Sequence, residues 1–216
     1  MVQNPMKLDR KLTFKPGDRL FAAINDLTIL MAALGHALHA IGGSGRIPEK
    51  MGVMRMRPSR FSHAIALPLV GPLQIAMKGE VPDIIDVGLI ALEDAQSDLV
   101  GEATTTSGFN HVLGHLVKPV FLAFFERYNV WLTENLGDAV NWPATLNFAR
   151  VVRNAIAHGS INIRTPSTPP VVWRGLSYSH ADSGRDIFSS DIGPTDLIGL
   201  MIEADWELDA ISAPIL

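Results

Sequence analysis

The chain has 216 residues, long enough to bury a sizeable core, and 47% of them are hydrophobic against 19% charged, which excludes widespread disorder. It contains no cysteine, so disulfides and thiolate chemistry are excluded and a reducing, cytoplasmic setting is expected. Its net charge of −4 hides an asymmetry, since residues 1–60 carry 10 Lys/Arg against 4 Asp/Glu and the remainder 8 against 18, and that acidic remainder argues against broad nonspecific nucleic-acid binding.

Residues Met1 to Lys7 offer no apolar signal core, so no secretory segment is expected. The basic residues gather at Lys7, Arg10, Lys11, Lys15 and Arg19, and again at Arg46, Lys50, Arg55, Arg57 and Arg60. Such clusters can attract a polyanion or serve as a solvated arm. Pro16-Gly17-Asp18 reads as a helix start with Asp18 as N-cap. Apolar residues from Leu20 to Ile41 then recur at helical spacing, and Gly42-Gly43-Ser44-Gly45 ends the pattern as a linker. Residues 46–60 read as a basic loop.

Residues 61–77 read as short helical pieces broken by Pro68 and Pro72, too interrupted for a membrane span. Pro82-Asp83 is predicted to open another helix that ends near Gly101 to Gly108. A long helix follows from about Phe109 to Asn135, with Pro119 as a kink point. The pattern then gives a helix over 143–158, a proline-rich loop at Pro166, Pro169 and Pro170, and a hairpin. One hairpin strand runs from Val171 to Tyr178, Asp182-Ser183-Gly184 turns the chain, and Asp186 to Ser189 returns. A last helix begins at Thr195-Asp196 behind Pro194 and runs to about Ala210. The expected organisation is a single domain over 1–216: a basic N-terminal helix and loop (1–60), a helical bundle core (61–160), then the hairpin and C-terminal helix (161–216).

The stretch Arg153-Asn154-Ala155-Ile156-Ala157-His158 carries the chemistry. Arginine holds a phosphate through several N–H donors without losing its charge. Histidine moves protons near neutral pH. Three Arg/His pairs have this spacing. Arg57/His63 straddles Pro58 and Arg174/His180 lies in strand and turn, so only Arg153/His158 sits on a convincing helix. On a helical wheel Phe148, Ala149, Val152, Ala155 and Ile156 form an apolar arc, while Asn147, Arg150, Arg153, Asn154 and His158 fall opposite. The plainer alternative is a solvated helix face, with His158 and Gly159 forming an ordinary C-terminus. His111 and His115 stand four apart but lack a third ligand, so no metal site is expected. His36 and His39 read as hydrogen-bonded side chains of an apolar helix.

The Arg, polar residue and spaced His resemble the motif of the HEPN family (higher eukaryotes and prokaryotes nucleotide-binding domains), matched by Arg153, Asn154 and His158. Trp173-Arg174-Gly175-Leu176-Ser177-Tyr178, Asp196-Leu197-Ile198 and the run from Glu203 to Leu208 look like the tail of uncharacterised bacterial members. The resemblance covers about residues 108–210, and only the short motif is specific. It implies a mainly α fold, a HEPN-like helical bundle with a small β-hairpin inserted before the last helix. It also implies a metal-independent endoribonuclease whose Arg/His cleft forms across a homodimer, in a toxin or defence effector with an antitoxin protein as partner. His158 would be the general base, Arg153 the phosphate stabiliser and Asn154 an orienting or phosphate-binding amide. Arg150, Arg57 and Arg60 would be auxiliary RNA or phosphate contacts, and no cofactor is implied. The alternative is a noncatalytic module of that fold that binds a nucleotide, RNA or protein.

Overall fold

The computed structural model describes residues 10–41, 53–92, 107–188 and 190–216, with side chains at 37–41, 70 and 107–111 outside that description. The Gly42–Gly45 linker, the predicted helix segment over 93–106, and the side chains of His39 and His111 therefore fall outside the described residues. The chain forms two compact units, residues 1–58 with 62–109, and residues 59–61 with 110–216.

The first unit is built on a four-stranded antiparallel sheet. Its strands are β1 (Arg10–Phe14), β2 (Val53–Met56), β3 (His63–Pro68) and β4 (Ile85–Ala91), in the order β1-β4-β3-β2. Helix α1 (Phe21–Ile41) and the short α2 (Val70–Ala76) complete it. Central β3 and β4 are buried along almost their whole length, because side chains on both faces of an inner strand meet other elements. Ile65, Leu67, Val87 and Leu89 pack with Leu20, Ile24, Leu27 and Met31, all at most 1% exposed. Ala64, Ala66 and Ile90 form a separate small cluster with Leu92. Edge strand β1 keeps its charges outside, where Lys11 pairs with Asp86 at 2.7 Å. That contact holds the Asp86 carboxyl below its usual range.

This sheet overturns the mainly α expectation. The architecture is mixed α/β, with a four-stranded antiparallel sheet and five α-helices among the described residues. The basic arm contributes β1, the presumed loop over 46–60 contains β2, and the helical pieces over 61–77 are β3 followed by α2. The helix predicted from Pro82 starts instead as β4. Asp18 does not cap α1 as expected: its carboxylate accepts the Lys15 N–H at 2.7 Å, closing a turn, and the helix begins at Phe21.

The second unit is helical around one hairpin. Helix α3 (Ser107–Leu136) runs through Pro119 and buries Val117, Phe121, Phe124, Phe125, Tyr128 and Leu132 at helical spacing. Helix α4 (Ala144–His158) follows, then the two-strand ribbon β5 (Val171–Trp173) and β6 (Leu176–Tyr178), then α5 (Pro194–Ala210). The ribbon lies wholly inside what reads in sequence as one strand. Its turn, Arg174-Gly175, takes φ of 46° and 79°, the left-handed pair that a two-residue hairpin needs. Phe148 of α4 stacks on Trp173 and Tyr178, with centroids 5.5 and 5.4 Å apart.

Residues 59–61 are strapped onto α5 by one carboxylate. Asp196 is fully buried and accepts the main-chain N–H groups of Ser59, Arg60, Phe61 and Gly193 at 3.2, 2.7, 3.0 and 2.9 Å. The Phe61 ring lies so close to Gly199 that a Cβ there would collide with it. No helix among the described residues is long and apolar enough to cross a membrane.

Candidate functional site

Helix α4 forms because its apolar positions repeat on one face. Leu146, Phe148, Ala149, Val151, Val152 and Ala155 are all buried. Pro143 precedes its first turn and Gly159, with φ of 80°, ends it as a left-handed C′ cap. The remaining arc bears Asn147, Arg150, Arg153, Asn154, Ala157 and His158. The residues thought to share a polar strip do share one, all half-buried or exposed.

The strip is organised from its N-terminal end. Arg150 is half-buried and gives Nε and Nη2 to the Asn147 side-chain carbonyl, at 3.2 and 2.9 Å. Burial pulls its pKa down, though a guanidinium remains charged at neutral pH. Among the described residues no carboxylate pairs with it. One turn on, Arg153 donates Nε and Nη2 to one oxygen, Oε1, of Glu126 on α3, and Nη1 to Asn154 Oδ1 at 2.9 Å. A guanidinium has five N–H donors, so two remain for a ligand. No local pattern in the sequence marks Glu126. It lies 27 residues from Arg153, on a helix whose periodicity marks only its apolar face.

His158 is exposed at the helix end. Among the described residues no side chain holds its ring, and Asn154 has given its carbonyl to Arg153 instead. Arg153 and His158 are rotated about 140° apart and separated by roughly 7.5 Å along the axis, so they flank the strip without touching. The strip thus offers two cationic groups, an imidazole, and an amide N–H₂ that has no partner among the described residues.

The other expected phosphate contacts are not on α4. Arg60 is exposed and its charge is felt at the Tyr178 hydroxyl, whose ring stacks on the buried arc of α4, away from the strip. Tyr178 is held in its neutral form first by burial and then by its 3.0 Å hydrogen bond to Asp191. Arg57 is exposed in the first unit. Arg174 is engaged structurally: it pairs with Glu203, whose other oxygen accepts Trp173 Nε1 at 2.6 Å, and it lies over Phe61. His180 Nδ1 is 2.6 Å from the Ile163 carbonyl.

A shallow cleft in the second unit is lined by Gly114, His115, Lys118, Phe188, Ile192, Pro194 and Leu197 and includes no motif residue. Among the described residues no group of three or more His, Asp or Glu could hold a metal ion. Compared with protein-family models, curated proteins and solved structures, the chain matches none.

Proposed function

We propose that the α4 strip binds RNA phosphodiesters and cleaves them without a metal ion, in a cytoplasmic protein whose second copy completes the cleft. The observation that carries this reading is Arg150. A half-buried guanidinium whose described partner is a neutral amide leaves uncompensated positive charge. That charge stands one helical turn from Arg153, beside the amide of Asn154, and makes the strip a place for an anion.

In this reading Arg153 and Arg150 hold the non-bridging oxygens and offset charge growing on phosphorus. His158 takes the proton from the ribose 2′-OH as that oxygen attacks the neighbouring phosphorus. The bond from phosphorus to the 5′ oxygen breaks, and that oxygen leaves with a proton from solvent or a second imidazole. The products are a 2′,3′-cyclic phosphate and a 5′-OH. A toxin or defence role, with an antitoxin as partner, belongs to the same proposal.

A labelled RNA incubated in EDTA with the wild type, Arg153→Ala and His158→Ala tests it. Each variant is expected to lose about 100-fold or more in rate. Cleavage by His158→Ala at the wild-type rate, or loss of wild-type cleavage on chelation, would overturn the mechanism. A second reading, RNA or nucleotide binding without turnover, draws on two observations: Glu126 already partners Arg153, and no described side chain orients the His158 ring. Phosphate-dependent binding with no products would select it.

A further inference from the structure

We infer that Glu126 is a specificity-determining residue that shifts the selectivity of the α4 strip away from doubly charged terminal phosphates and toward singly charged phosphodiesters. The inference rests on the phosphate-binding reading above and deepens it.

Charge matching carries the argument. Apart from the His158 imidazole, the strip holds three charged groups among the described residues: Arg150, Arg153 and the Glu126 carboxylate that touches Arg153. The Arg153–Glu126 pair cancels, so the strip presents one net positive charge. An internal phosphodiester brings one negative charge and balances it. A terminal phosphate above its second pKa, near 6, brings almost two, and its surplus sits beside a carboxylate.

The geometry makes that carboxylate unavoidable. Glu126 occupies the Nε/Nη2 side of the guanidinium, so a ligand must use what remains of Arg153, next to the Glu126 side chain. That side chain is 44% exposed, so it repels through water-like surroundings. An extra unit charge roughly 6 Å away is then disfavoured by about threefold in affinity, less at high salt. Replacing the carboxylate by an amide keeps an acceptor for Arg153 while removing the charge.

The probes are a nucleoside 5′-monophosphate and a dinucleoside monophosphate made uncleavable by 2′-O-methylation. Binding is measured by chemical-shift titration at pH 8 and low salt, to wild type and to Glu126→Gln. Glu126→Gln is expected to raise mononucleotide affinity about threefold more than diester affinity. An unchanged ratio, with both ligands still bound, would overturn this inference alone. Binding of neither ligand by either protein would overturn the phosphate-binding reading and this inference with it. Because Glu126 is exposed, the variant should fold, and coincident far-UV spectra of the two proteins confirm it.

Discussion

Two kinds of charged residue stand side by side in this chain, and their burial separates their roles. Asp196 is sealed and collects four main-chain N–H groups. Removing such an acceptor leaves buried donors unsatisfied, at about 1–3 kcal/mol each. Asp196→Ala is therefore expected to cost about 3–5 kcal/mol in urea unfolding, because water can reach some of the freed groups. Arg153→Ala and His158→Ala should stay within about 1 kcal/mol, since an exposed ion pair and an exposed imidazole contribute little. A large loss at either would make the motif structural. The sequence placed Arg153, Asn154 and His158 on one polar arc, with Asn154 and His158 as i, i+4 neighbours and Arg153 at its far edge. It could not show Glu126 or the partners of Asp196. Those contacts span 27 and up to 137 residues, and no local periodicity encodes them.

Among the elements, α4 was the most legible: its apolar repeat, preceding proline and terminal glycine all point the same way. The sheet was the least legible. His63-Ala-Ile-Ala-Leu-Pro68 is an inner strand buried on both faces, and such a run lacks the polar alternation that separates strand from helix. Edge strands β1 and β2 are short and charged, which reads as a basic arm and loop. The ribbon turn was hidden because arginine rarely takes the left-handed position of Arg174. Its ion pair with Glu203 and its place over Phe61 hold it there. Packing of α5 against Phe61 gives an element-level test. Gly199→Ala puts a methyl group into a ring that is 1% exposed. Thermal unfolding should show a loss of about 1–3 kcal/mol, the usual cost of overfilling a core. An unchanged midpoint would mean that the strap gives way freely.

At the scale of the whole molecule, one unit built on a sheet and one built on helices share a chain whose charge is as divided as its architecture. Residues 1–60 are net basic at 10 against 4, and the rest net acidic at 8 against 18. Within that acidic remainder, the α4 strip is a local exception, because Arg150 has no described carboxylate partner and Arg153 has one. The proposed chemistry makes this exception the place where RNA is cut, and makes the ribose 2′-OH the nucleophile. The most direct test is an RNA strand in which the nucleotide 5′ to the cut linkage is replaced by its 2′-deoxy form, incubated with the wild type in EDTA. The all-ribose strand should yield a 2′,3′-cyclic phosphate and a 5′-OH, and the deoxy linkage should remain intact. Cleavage at the deoxy linkage, or an all-ribose strand left whole, would contradict the account.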